Sequence, residues 1–306
     1  MFDSMLLFKS LFSLYLIFYG YDGEYFIPEK TGYTDVLISF QASVNIPLNE
    51  YATFHAGIIG TEPYAEKFVA TPYLNIDFKL KNSLFEIGNL GIGLGKKLAI
   101  LPEEVIDYGL FSSLMAKDGA WYKYYYNNFS FNSWFLWTQR ETVTLQEHFI
   151  GGLLSEYKLK YKEISLDTKV FFNISHYGGQ FYNNGPVIQS TNPGAEVKFR
   201  IGNFFILSRG ILSQVRNQFG VANGFGSVYS FGFNKYNFLF SLNYWKNNNY
   251  YALEEDTIFK RNEVYFTKLV FSKELIYNSN IKTDLRVDYS DNDWGGYLGI
   301  YLEYKL

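Results

Sequence analysis

The chain has 306 residues, with 27 Lys and Arg against 30 Asp and Glu, and its net charge of −3 leaves no basic footprint for nucleic acid. It has no cysteine, which excludes a disulfide scaffold and thiolate chemistry, and its three histidines, His55, His148 and His176, lack metal-ligand spacing. Aromatic residues make up 21 %, far more than a water-soluble core of this size needs, while the mean hydropathy is only −0.10, the value expected when an apolar outer face and a polar inner face cancel.

Residues 5–19, MLLFKSLFSLYLIFY, are the one long apolar run. Lys9 interrupts it short of the ~20 residues a spanning helix needs. Asp3 and the lack of a small-x-small site make it a poor signal peptide. Residues 36–46 then alternate Ile38, Phe40, Ala42, Val44 and Ile46 with Ser39, Gln41, Ser43 and Asn45, the period of a strand with one apolar and one polar face. PLNE turns the chain into 51–59. Residues 68–80 repeat the pattern, with Leu74, Ile76, Phe78 and Leu80 opposed to Asn75, Asp77 and Lys79, and a KNS turn leads into 84–94. Residues 95–118, GKKLAILPEEVIDYGLFSSLMAKD, break the pattern with three lysines, a proline and a group of carboxylates. Alternation resumes at 121–126, 129–138, 148–161, 164–174, 195–201, 204–215, 227–233, 238–245, 263–272, 281–289 and 297–306.

These are about fifteen strands, most close to the length that crosses a bilayer at a tilt. Their connections alternate in length. Short ones lie near Leu48, Asn82, Asn127, Lys162, Asn203, Tyr236 and Tyr277, and long ones near Pro63, Pro102, Glu141, Tyr182, Gly220, Asn249 and Asn292. Short turns on one side and longer loops on the other is the arrangement of an outer-membrane barrel. Parity requires one more strand before residue 36, and residues 11–21 are the candidate. The predicted fold is therefore all-β: one transmembrane antiparallel β-barrel domain over 1–306, of about 16 strands, with short periplasmic turns and long outer loops. If residues 1–20 are instead a cleaved signal, the barrel has 14 strands.

In strand count and in the position of its longest loop, the chain resembles the general porins of Gram-negative outer membranes. The stretch DGAWYKYYY after that loop is similar to carbohydrate- and anion-type porins. The resemblance implies a channel narrowed by an inward-folded third outer loop, here residues 95–118, and a homo-trimer. Two features depart from the family: Leu306 replaces the usual terminal aromatic, and PEEVIDY replaces the usual acidic loop motif.

Inside such a barrel, Lys96, Lys97, Glu103, Glu104 and Asp107 are the candidate constriction residues. Lys79, Glu196, Lys198, Arg200, Arg209, Asp284 and Arg286 are the candidate pore lining. Loop carboxylates facing a basic wall would set up a transverse field that orients polar solutes. Trp121, Trp134, Trp137, Trp245, Tyr244 and Tyr304 are candidates for interfacial girdles. No cofactor is implied: GNLGIGLGK at 88–96 lacks the GxxxxGK[ST] spacing of a phosphate loop. A barrel phospholipase needs a histidine paired with a serine nucleophile and a polar orienter. Ser175-His176 and Glu147-His148 are adjacent pairs that do not make this arrangement, so the chain reads as no enzyme. The expected function is passive diffusion of small hydrophilic solutes or ions across the outer membrane, with lipid as the surrounding partner. A non-conducting surface barrel, acting as adhesin or receptor or in surface-polysaccharide assembly, is the alternative.

Overall fold

Every strand of the chain must find partners for its backbone groups, and it does so in sequence order. The computed structural model describes residues 12–25, 33–63, 68–91, 118–141, 145–178, 186–250, 262–274, 279–290 and 293–305. The strands are β1 Phe12–Tyr25, β2 Tyr33–Pro47, β3 Ala52–Pro63, β4 Val69–Leu80, β5 Ser83–Asn89, β6 Asp118–Tyr126, β7 Phe129–Gln139 and β8 Glu147–Tyr161. The second half adds β9 Ile164–Gly178, β10 Ile188–Ile201, β11 Phe204–Asn217, β12 Gly220–Lys235, β13 Phe238–Asn248, β14 Glu263–Glu274, β15 Ser279–Ser290 and β16 Asp293–Lys305. Each pairs antiparallel with its neighbours, and β1 pairs with β16 from Tyr15↔Lys305 to Tyr25↔Gly295, closing a barrel of sixteen strands. Residues 11–21 are thus read correctly as strand one.

Period 2 decides which face each residue takes. Along β11 the alternation is complete: Ile206 is 59 % exposed on the outside while Phe205, beside it, is 2 % exposed on the inside. The outward positions carry Val, Ile, Leu and Phe around the ring, an apolar exterior that suits lipid and not water. Aromatic rows border it. Tyr229, Tyr244 and Tyr265 stack outward across β12–β14 at 6.3 and 4.8 Å, and Tyr289 against Trp294 continues the row at 4.9 Å on β15 and β16. Toward the other end, Phe204 packs on Phe233 at 5.3 Å and Phe78 on Phe85 at 6.1 Å. Rings at two heights are what a bilayer's two interfaces select.

The turns at that second end are tight. The first turn residues after β6, β8, β10 and β12 are Asn127, Lys162, Gly202 and Tyr236, all left-handed with φ of 50–57°. That conformation lets a two-residue loop match the twist of its strands.

Three sequence expectations change. The outer connections near Gly220 and Asn292 are short, because β11 and β12 pair to Asn217↔Gly220, and β15 and β16 to Ser290↔Asp293. Around Gly220 both faces of the hairpin are solvent-exposed, so no apolar alternation marks it; Gln214 donates to Asn223 across it at 3.1 Å. Strand β10 likewise starts at Ile188 rather than 195. Lastly, Trp121, Trp134 and Trp245 are buried on the inner face, not in a girdle, while Trp137 and Tyr244 do face outward. Tyr122 beside Trp121 and Tyr244 beside Trp245 take the outer positions, so parity sends the tryptophans in. Gly226 makes room for one of them: a Cβ there would lie 2.2 Å from the Trp245 ring.

Closure between the ends of the chain is directly testable, since the chain has no cysteine. Phe18 faces Leu302, and Ile17 faces Glu303; one of these consecutive pairs has the closer Cα spacing of a non-hydrogen-bonded position. At least one of the double cysteine variants Phe18→Cys/Leu302→Cys and Ile17→Cys/Glu303→Cys should oxidise to a ring whose gel mobility reverts on reduction. Failure of both in folded protein would rule out this closure.

Candidate functional site in the barrel lumen

The inner face carries most of the charge that the bilayer side cannot. At mid-height on β9–β11, register places Glu196 opposite both Lys169 and Arg209. Lys169 Nζ lies 3.0 Å from Glu196 Oε1, and Arg209 Nε lies 2.9 Å from Oε2. The Arg209 guanidinium also stacks 4.5 Å over the Phe171 ring, and Lys198 Nζ sits 4.7 Å over Phe205. On β14 and β15, Lys268 Nζ is 3.0 Å from Asp284 Oδ2, and Arg286 Nε is 4.0 Å from Asp288. On the opposite side of the sixteen-strand ring, Asp77 receives His55 Nε2 at 2.8 Å and Lys79 Nζ at 3.0 Å.

Lys79, Glu196, Lys198, Arg200, Arg209, Asp284 and Arg286 therefore all lie on the inner wall. The structure joins Glu196 with Arg209, puts Asp284 and Arg286 together on β15, and leaves Lys79 across the barrel. Arg200, Arg209 and Arg286 each stand beside a wall carboxylate, so the described wall is mixed in sign rather than uniformly basic. Lys96, Lys97, Glu103, Glu104 and Asp107 lie outside the described residues.

The inner wall is not wholly polar. Trp121, Trp134, Leu136, Leu154, Phe171, Phe205, Trp245 and Phe266 belong to one buried apolar cluster running from β6 to β14. Val228, Trp245 and Val264 are 0 % exposed, so this side of the bore is covered rather than open to solvent.

At the outer end of β7–β9 lies an arrangement that sequence reasoning missed. His148 Nε2 is 3.0 Å from Ser175 Oγ, and His148 Nδ1 contacts Thr138 Oγ1. Thr138 Oγ1 donates its single proton to the His148 carbonyl at 3.1 Å. With that proton so placed, it would accept from Nδ1–H, which would leave the Nε2 lone pair facing the serine hydroxyl. This is the tautomer a general base needs. Adjacency in sequence pointed to Ser175-His176 and Glu147-His148, but neighbours on a strand face opposite sides and never meet. The pair in contact comes from two strands, and only the β8–β9 register, with Ile150 opposite Ser175, brings it together.

A model of the family described as lipid A 3'-O-deacylase-type matches residues 9–306. No curated protein matches the chain significantly. Among solved structures, a loop L8 deletion mutant of OmpT, an outer membrane protein of Vibrio cholerae, is similar with a TM-score of 0.63 at 8 % identity, over 96 % of this chain and 99 % of that one. OccK5 (OpdH) of Pseudomonas aeruginosa gives 0.57 at 11 % over 97 % of both chains. OpdL of the same organism gives 0.56 at 10 % over 97 % and 98 %. At such identities the likeness shows the fold, that of Gram-negative outer-membrane porin barrels.

The mid-height ion pair yields a stability test. Arg209→Ala strands the buried Glu196 carboxylate with Lys169 as its remaining ion-pair partner and should cost about 3–5 kcal/mol in urea unfolding. The double variant Arg209→Leu/Glu196→Leu should lose less than the single one. Equal losses would mean that the pair itself is not what Arg209 supports.

Proposed function

The chain belongs to the lipid A 3'-O-deacylase-type family, and from that premise and the barrel it forms we propose that it is an outer-membrane channel for small hydrophilic solutes or ions. The observation that carries this reading is closure at sixteen strands. Barrels of about 8 strands are filled by their own side chains, whereas barrels of about 16 enclose a bore wide enough for water. The charged inner wall supports it, because charges of both signs on neighbouring strands of the wall bias which ions pass. Purified protein added to a planar bilayer should give discrete conductance steps. Glu196→Gln, which removes the carboxylate between Lys169 and Arg209, should move the reversal potential toward anions. A folded, silent protein would sink the channel reading.

A second reading is favoured by the Thr138–His148–Ser175 line: cleavage of an acyl ester, as the family's name describes for lipid A. Ser175 Oγ would attack the acyl carbonyl while His148 Nε2 takes its proton, then passes it to the departing sugar oxygen. Water would release the acyl group from Ser175 by the reverse proton path, and Thr138 would hold the imidazole in its tautomer throughout. The burial of His148 and Ser175, 6 % and 7 % exposed, ranks this reading second, since a nucleophile must meet its substrate. Ser175→Ala should abolish release of 3'-linked acyl chains from lipid A, by on the order of 10³-fold or more, while leaving conductance intact. Wild-type protein that releases no acyl chain would remove this reading and leave the channel.

A further inference from the structure

The short-turn end of β8–β10 carries a charge pattern that neither reading uses. Inward residues form successive rungs across these three strands. The rung nearest the turns is Lys160, Ser165 and Arg200; the next is Lys158, Asp167 and Lys198; the third is Glu156, Lys169 and Glu196. Counting charges inward, the rungs change from two cations with no anion, through two cations with one anion, to one cation with two anions. The excess of positive charge is therefore concentrated at the rim.

That rim borders a cavity of about 650 Å³. Lys158, Lys160, Lys162 and Arg200 line it against only Glu163 and Asp167. The neutralisation within it is slight. Arg200 Nε reaches Asp167 at 4.0 Å, and Lys158 pairs outside the lining with Glu156 at 3.2 Å. Lys162 lies over the Tyr161 ring at 5.4 Å, and Lys160 makes no ion pair among the described residues. Lys162 also holds a left-handed φ of 53° at the hairpin tip, a position that Asn or Gly usually takes.

We propose that this cavity is a binding site for a phosphorylated small solute, entered from the short-turn side. Ammonium groups and a guanidinium fork offer charge-assisted donors to phosphate oxygens, and the Ser165 hydroxyl adds a neutral one. The volume exceeds a bare phosphate and matches a small organic ligand that carries one. Leu159 and Ile164 of the outer face complete the lining, but the cations and hydroxyl of the rungs face the lumen, which favours a soluble ligand over a lipid headgroup.

The test is calorimetric titration of the folded full-length barrel in detergent at low salt, with glucose 6-phosphate as probe and glucose as its uncharged control. Wild type should bind the phosphate ester at one saturable site and ignore glucose. Lys160→Gln/Arg200→Gln should weaken binding about tenfold or more, the loss expected for charge-assisted bonds. Lys246→Gln, which removes one positive charge on the outer face, should leave it unchanged. Should the double variant fail its heat-dependent gel shift, Lys160→Gln alone, at an exposed position, carries the test. Absence of saturable binding by wild type, retention of affinity in the rung variant, or an equal loss in Lys246→Gln would each overturn the proposal. Binding is read without ion flow, so its failure is distinct from failure of the channel reading.

Discussion

A chain in hydrocarbon has no water to satisfy its backbone, and this one constraint organises the molecule. Each unpaired N–H or C=O in the bilayer costs several kcal/mol, so a sheet there has no tolerable edge. The pairing of β1 with β16 removes the two edges that a sixteen-strand meander would otherwise present. Once the ring is closed, every residue is committed to lipid or lumen by its parity. Ile206 and Phe205 illustrate how little choice remains: both are apolar and adjacent, yet one faces lipid and the other is packed inside.

The lumen then has to accommodate what parity sends into it. Side chains at 16 strands do not fill a bore, and the chain responds differently around the ring. On β9–β11 and β14–β15 the inward groups are cations and carboxylates held in contact, some beneath aromatic rings. Buried ion pairs are costly to desolvate, and replacing them by apolar residues is often neutral for stability. Their retention beside an apolar cluster that includes Trp121, Trp134 and Trp245 indicates that stability alone does not explain the wall's composition. The division also explains why average hydropathy is uninformative, since apolar residues occupy both faces and charged ones largely the inner.

How far the residues announce this structure depends on whether the signal is local. Strand alternation is local, so β2, β4 and β15 are legible from their own side chains. The count of sixteen was legible too, because parity of short and long connections demanded a strand at residues 11–21. The hairpin at Gly220 was not, because outside the bilayer neither face needs to be apolar and the pattern fades before the strand ends. Aromatic runs such as WYKYYY hide parity as well, since every position looks the same. Contacts between strands are least legible of all. Glu196 could be assigned to the lumen from its own strand, but its position between Lys169 and Arg209 follows only from two registers. The Ser175–His148 bond requires a register and a third strand that supplies Thr138.

Strands β8 and β9 carry both of the unusual features, at opposite ends. From Ser175 to Ser165 is ten residues along β9, roughly 33 Å at strand rise. Between them the inner face carries Leu154, Phe171 and Glu196, all buried, with Lys169 half-buried beside Glu196. At this separation substitutions at the two ends should act independently. One ribbon of the barrel thus carries the Thr138–His148–Ser175 contacts at its outer end and the cation-rich rungs at its short-turn end.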